Sequence, residues 1–380
     1  MVITALKETR DGETRVPLTP AAAAKLVKLG AEVRIEAGLG GAVHIADSAY
    51  QDAGAHIVHN HDEAIAQANV VIRLNPPEAD EVRRYQANTV HVGFLDPFRR
   101  PETVRALQQQ PCSALCMELI PRSTYAQKMD ALSSQASLAG YAAVITAAER
   151  IDKALPMMTT PAGTIAPARV FVVGVGVAGL QAIATAKRLG ARVEAYDTRP
   201  VVAEQVASLG AKFVRIDVGE TGQTEQGYAK ELSEEQLERQ RQQMAKICAN
   251  SDIIITTAQV FGRDAPRIIS AEMVAGMRPG SVVVDLAAST GGNVEGTVAD
   301  QEVDINGVRI IGLANFPGEV AKDASQMYAS NVANLIEHLW DNDSKTLQLK
   351  LEDAITSGTL LTHQGDVRNE RIKALLEAQA

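Results

Sequence analysis

The sequence predicts an α/β protein with parallel sheets, arranged as two domains with a cleft between them. Three observations carry this. Short β-branched runs alternate with longer helical patterns along the whole chain. A helix-rich and then Pro/Gly-rich stretch divides the chain near its middle. The second half opens on a glycine-rich turn set between a strand and a helix.

The predicted strands are 32–36, 70–74, 90–94, 170–173, 192–196, 213–216, 253–256, 282–286 and 309–313. Several are apolar throughout, as strands covered on both faces of a parallel sheet must be. Helical patterns separate them, for example 20–29 before Gly30 and 180–189 before Gly190. Glycine just past the last periodic residue is a common left-handed cap. A long helix is expected over 137–154, followed by the Pro/Gly-rich stretch 156–167. A last helix is expected over 323–338, with Met327, Val332, Leu335 and Leu339 on one face. If it packs back on the first domain, that domain is discontinuous, comprising 1–136 and 318–380, and the second spans 137–317. The segment 220–230 is Gly-rich and polar, which suggests a lid or a disordered stretch, and the charge-dense 231–241 suggests a solvated helix face.

Composition narrows the function. The chain has 380 residues, enough for two or three domains at roughly 150 residues each. Lys and Arg number 37 against 46 Asp and Glu, a net charge of −9, which argues against nucleic acid as the main partner. No apolar stretch is long enough to span a bilayer directly, and the first 15 residues lack a signal-peptide core. The three cysteines, Cys112, Cys116 and Cys248, are read as packing residues of a reducing compartment. His56, His59 and His61 cluster beside Asn60 without a neighbouring cysteine, and are read as a loop with no metal. A soluble, intracellular protein is expected.

The strongest chemical signal is Gly174-Val175-Gly176-Val177-Ala178-Gly179. It follows one strand and opens a helix, and Asp197 ends the next strand 18 residues past Gly179. This is the Rossmann dinucleotide-binding pattern in its full context. Gly174 permits the tight turn, Gly176 the approach of backbone amides to a pyrophosphate, and Gly179 close helix–strand packing. The helix N-terminus adds partial positive charge. Asp197 is positioned to accept from the adenosine ribose hydroxyls and to repel a 2′-phosphate, so NAD(H) is the expected cofactor. Arg199 complicates this reading, because a cation there suits NADP(H).

Three further stretches carry a family resemblance. The first is Ala5-Leu6-Lys7-Glu8-Thr9 followed by Glu13-Thr14-Arg15-Val16-Pro17-Leu18-Thr19-Pro20. The second lies in 121–136, with Arg122, Gln127, Asp130 and Ser133. The third is Asp323-Ala324-Ser325-Gln326-Met327-Tyr328-Ala329-Ser330-Asn331. Together they resemble the alanine dehydrogenases and the NAD(H)-binding part of proton-translocating transhydrogenase, over nearly the whole chain. Alanine dehydrogenases use an Arg, a Lys and a His around pyruvate. Here Arg15 matches, but Asn75 stands at the Lys position and Asp96 at the His position. Without an ammonium and an imidazole no acid or base serves a keto-acid carbonyl, which favours transhydrogenase. The alternative is an alanine dehydrogenase-like, NAD-dependent amino-acid dehydrogenase.

The resemblance implies hydride transfer between NADH on this chain and NADP+ on a partner, coupled to proton translocation by membrane subunits. It implies that Arg122, Gln127, Asp130 and Ser133 position the nicotinamide. Gly174, Gly176, Val177, Gly179, Asp197, Thr198 and Arg199 would bind the cofactor, as would Thr257, Ala258 and Gln259. Gly227 and Tyr228 would form the tip of a mobile loop that closes over it. Gln259 and Phe261 depart from the family's more usual Leu and Pro. A homodimer is implied, cytoplasmic and held at the inner face of the bacterial plasma membrane through the partner subunits. The chain itself would be the separately encoded soluble α subunit found in some bacteria.

Overall fold

The computed structural model describes residues 1–216 and 233–378. The chain divides into two compact units, Met1–Gln135 with Pro317–Ala380, and Ala136–Phe316.

In the first unit eight strands form one sheet. Val2–Ala5 runs parallel between Glu32–Glu36 and Val70–Ile72. His56–Val58 extends the sheet on one side, and Val90–Gly93 and Ser113–Cys116 extend it on the other, all parallel. The returning chain adds Leu360–His363 and Asp366–Val367 antiparallel at the far edge. Side-chain alternation feeds two cores. Val70 and Ile72 join Ile3, Val33, Ile35 and Val92 on one face. Val71 joins Leu6, Ala114 and Cys116 on the other. Helices Pro20–Leu29 and Ala321–Leu339 cover the first face, and Pro101–Gln109 covers the second. The helix Pro20–Leu29 shows why its ends fall where they do. Pro20 stands in the first turn, where no N–H is needed, and Gly30 (φ 98°) closes the end by donating to the Val27 carbonyl.

The second unit holds a seven-stranded sheet. Its order is Lys212–Phe213, Arg192–Tyr196, Arg169–Val173, Ile253–Thr256, Val282–Asp285, Val308–Ile311 and Glu302–Ile305. All neighbours are parallel except the last pair. Val170, Val172, Ile253, Ile255, Val282 and Val284 pack on one face, and Phe171, Val173, Ile254 and Val283 on the other. Each such side chain contributes about 1.5–3 kcal/mol on burial. The chain winds from Arg169–Val173 to one side and then, from Ile253, to the other. That reversal opens a crevice at the carboxyl ends of these two strands, where open α/β sheets bind ligands.

Several sequence expectations need correction. The long helix is Ala131–Arg150, not 137–154. Asp130 caps it by accepting from the Ser133 N–H, and the serines of its first turns blur the apolar period. His56, His59 and His61 are not one loop. His56 opens a strand, and His61 opens a helix capped by the Asn60 side chain. The strand over 213–216 shrinks to Lys212–Phe213 at the sheet edge. Met327 lies outside the buried stripe of Ala321–Leu339 and is half exposed, whereas Val332, Leu335 and Leu339 are buried. The Pro/Gly-rich stretch holds an exposed hairpin, Met158–Thr160 with Gly163–Ile165. The charged run agrees with its expectation: from Glu234 on it lies in the helix Glu234–Ala249, with Glu234, Glu235, Glu238, Arg239 and Arg241 exposed, and the helix starts in a capping box of Ser233 and Gln236.

Candidate dinucleotide site

The glycine turn sits at the carboxyl end of Arg169–Val173. The Gly174 N–H donates to the Tyr196 carbonyl (2.8 Å), tying the turn to the neighbouring strand. Gly174 has φ 93°, and a Cβ there would stand 2.7 Å from Thr257 Oγ1. A Cβ on Gly179 would stand 1.9 Å from the Gly174 carbonyl oxygen. Both positions are therefore closed to any side chain. Gly176 differs, because a Cβ there would meet nothing within 4 Å. Two of the glycines serve packing, and the third leaves open space at the N-terminus of the helix Val177–Arg188. No side chain among the described residues caps that end, and Val177 is 44% exposed. A bare helix N-terminus with room before it suits a diphosphate. Gly140, which the glycine pattern does not reveal, lets the helix Ala131–Arg150 approach: its Cβ would lie 2.1 Å from the Ala178 carbonyl oxygen.

Asp197 follows the strand Arg192–Tyr196, with Thr198 and Arg199 half-buried beside it. Its carboxylate accepts from the Val175 N–H (2.8 Å), the Arg199 N–H (2.8 Å), and Arg199 Nε and Nη2 (both 2.9 Å). Arg199 Nη2 also donates to the Val175 carbonyl at 3.2 Å. The acid is thus bound to the glycine turn on one side and to Arg199 on the other.

Thr257, Ala258 and Gln259 follow Ile253–Thr256 on the other side of the crevice. Thr257 Oγ1 donates to the Gly174 carbonyl (2.9 Å), and Gln259 Nε2 donates to the Leu286 carbonyl (2.8 Å). Two residues missed from the sequence fix this segment. Asn293, fully buried, accepts from the Ala258 N–H and donates to the Ala258 and Pro266 carbonyls. Asp285, also fully buried, accepts from Thr256, Thr297 and the amides of Ala287, Asn293 and Val294. An acid directly after the run Val282–Val284 was the available signal. Gly227 and Tyr228 lie outside the described residues.

In the first unit, Arg122 and Gln127 are exposed on a loop anchored by buried Ala126 and Met129. Asn331 and Asn334 hold it further by donating to the Lys128 carbonyl. Asp130 Oδ2 accepts from Ser133 Oγ at 2.6 Å, which ties the end of the loop to the first turn of the helix Ala131–Arg150.

The carboxyl edge of this unit's sheet is closed by charge. Arg15 donates Nε and Nη2 to Glu13 (2.8 and 2.7 Å) and Nη1 to Gln135 (2.9 Å). Asn75 donates to both Glu8 and Glu13, and Arg73 pairs with Glu8 and Glu81. Burial raises the Glu13 pKa, but Arg15 and Asn75 outweigh it and hold the carboxyl below its usual range. No group of His, Cys, Asp and Glu among the described residues is arranged to hold a metal. All three cysteines are buried, and burial pushes the Cys112 and Cys248 thiols up to about 12.

Fold and site define a two-unit α/β protein with a dinucleotide-type turn in its second unit. The chain belongs to the alanine dehydrogenase/PNT family: the N-terminal domain of that family matches residues 4–139 and the C-terminal domain residues 143–370. It is 46% identical over 374 residues to a Rhodospirillum rubrum protein named as the first portion of NAD(P) transhydrogenase subunit alpha, covering 97% of each chain. It resembles the crystal structure of transhydrogenase from Sinorhizobium meliloti with a TM-score of 0.87 and 42% identity, covering 97% of this chain and 100% of that one. Alanine dehydrogenase of Mycobacterium tuberculosis is more distant, 27% identical over 96% of this chain and 94% of that one. No helix among the described residues is long and apolar enough to cross a membrane.

Proposed function

We propose that the chain is the NAD(H)-binding component of a proton-translocating transhydrogenase, passing hydride between NADH and NADP+ held on a partner subunit. The observation that carries this reading is the contrast between the two carboxyl edges. The second unit presents an open glycine turn before an uncapped helix N-terminus. In the first unit Arg15 is neutralised by Glu13, and Asn75 and Asp96 replace the groups a keto-acid reaction needs.

The nicotinamide supplies the hydride when bound, and the chain's residues bind and orient it. The Gly176 amide and those of the first turn of Val177–Arg188 face the diphosphate, and Asp197 faces the adenosine ribose. Thr257, Ala258 and Gln259 line the far wall, and Arg122, Gln127, Asp130 and Ser133 position the nicotinamide end. Direct transfer needs the two reacting carbons within about 3–3.5 Å and no acid, base or nucleophile, so a site of positioning groups suffices. NADP(H) and the proton path then belong to partner subunits, through which this chain reaches the membrane surface. A homodimer fits the exposed Met157, Met158 and Ile165 on and beside the hairpin of the second unit.

The test is an exchange assay with purified chain. Hydride should pass between NADH and NADP+ when an NADP(H)-binding transhydrogenase domain is added, and pyruvate with ammonium should not oxidise NADH. Turnover of pyruvate would instead establish the amino-acid dehydrogenase.

A further inference from the structure

We propose that Asn331 is a positioning residue for hydride transfer, acting through the loop that carries Gln127 and Asp130. This rests on the reading of those two as groups that position the nicotinamide. The stretch 323–331 holds no proposed cofactor ligand, and Asn331 gives it a part in the reaction.

The helix Ala321–Leu339 adds directed polar contacts to the loop's apolar anchors, Ala126 and Met129. Asn331 Nδ2 donates to the Lys128 carbonyl (3.0 Å), and Asn331 Oδ1 accepts from Ser134 Oγ (2.7 Å). Lys128 directly follows Gln127, and Ser134 stands in the first turn of Ala131–Arg150. One side chain thus grips the chain on both sides of Asp130. Gln135, the next residue, donates to the Ala324 carbonyl of the same helix (3.0 Å).

These bonds leave the anchored peptide little freedom. A carbonyl oxygen has two lone pairs, and Asn334 Nδ2 takes the second one on Lys128 (2.9 Å). Because a carbonyl can only accept, both amides must present nitrogen to it. Their oxygen ends are committed as well, Asn331 to Ser134 and Asn334 to the Lys25 ammonium (2.8 Å). Neither amide can turn over without losing both of its bonds. The next turn adds Glu337, which pairs with Lys25 (2.8 Å) and reaches the Lys128 ammonium at 3.7 Å. Lys128 is therefore held by backbone and side chain, one residue from Gln127.

Asn331 is 7% exposed, among Val332, Leu335 and Ile336 of the apolar core. An amide there is costly unless both ends are bonded. Apolar contact is non-directional, whereas a hydrogen bond weakens steeply as it bends. The amides thus fix where the loop sits as well as that it is docked. Hydride transfer is sensitive to placement on that scale, while NADH binds mainly through the second unit.

The experiment uses the full chain with an added NADP(H)-binding transhydrogenase domain. Asn331→Ala and Asn334→Ala are each made alone and combined with Gln127→Asn. Exchange rate, calorimetric NADH affinity and urea midpoint are measured for each. Asn331→Ala should slow exchange by on the order of ten- to a hundredfold, the cost of a misplacement of up to about 1 Å. NADH affinity should stay close to wild type. Combined with Gln127→Asn it should slow exchange little further, because changes acting through one group do not multiply.

An undiminished exchange rate in Asn331→Ala would overturn the proposal. So would losses that multiply in the double variant, or an equal loss of NADH affinity. If Asn331→Ala fails to fold, Asn334→Ala decides by the same cycle, since it withdraws the other donor from a half-buried position. Full exchange in Gln127→Asn would instead reject the reading of the loop, and the proposal with it.

Discussion

The two units place the opening strand of their main sheets alike, between the second and fourth strands that follow the chain, yet finish its carboxyl end in opposite ways. In the second unit Arg169–Val173 runs straight into the glycine turn, and an uncapped helix follows at once. In the first unit Val2–Ala5 is followed by 14 residues before the helix Pro20–Leu29, and these carry Glu8, Glu13 and Arg15. Their charges are satisfied within the unit by Arg73, Asn75 and Gln135. Topology offers a crevice in both places, but only the residues at the turn decide whether it is available to a ligand. One edge is backbone donors with space in front of them. The other is a closed ionic lattice.

Breaking the open edge should have the largest effect. Gly179→Val would drive a side chain into the Gly174 carbonyl 1.9 Å away, and calorimetry should find NADH binding lost. A variant that still binds NADH normally would show that the turn is not the binding element.

Breaking the closed edge should cost stability first. Glu13→Ala leaves the Arg15 guanidinium without its bidentate partner, and both side chains are at most 10% exposed. Loss of one partner of a buried pair costs about 3–5 kcal/mol, readable as a lower urea midpoint. A change below about 1 kcal/mol, the value of an exposed pair, would mean that the lattice is not holding this edge shut.

The exposed loop of the first unit separates binding from chemistry. Gln127→Asn should slow hydride exchange with an NADP(H)-binding domain about 100-fold, since a misplacement near 1 Å costs that much. NADH affinity should fall far less. Equal losses in both would place Gln127 in ground-state binding.

The smallest effect is in pH. The folded Glu13 carboxyl is held below its ordinary value of 4.5, so its contribution is fully present above that pH. It is lost as pH falls through the depressed folded value. The stability difference between wild type and Glu13→Gln should therefore hold at neutral pH and shrink below about 4.5. A difference that grows on acidification would contradict the sign.

Legibility in the sequence followed the range of the forces involved. Glu32–Glu36 was readable because it follows a helix closed by Gly30, and Ile253–Thr256 because its run is apolar and β-branched almost throughout. Ser113–Cys116 was not, because Ser, Ala and Cys carry little strand signal and the segment is a strand by virtue of its neighbours. His56–Val58 was hidden by the polar residues around it. The glycine turn is local, so its strand–turn–helix context showed directly. The buried Asn293 that fixes Ala258 lies 35 residues away from it, and no spacing rule reaches that far. Arg199 was visible as a cation, but its grip on Asp197 was not, since that depends on rotamers rather than on order along the chain.

The central claim is that a ligand meets the open carboxyl edge and not the closed one, and one NMR titration of isotopically labelled protein addresses both. With NADH, the amides of Val175 to Ala178 and of Ala258 should shift strongly, and subsequent pyruvate should leave the Arg15 Nε–H resonance unmoved. Silent glycine-turn amides under saturating NADH, or an Arg15 Nε–H that responds to pyruvate, would contradict it.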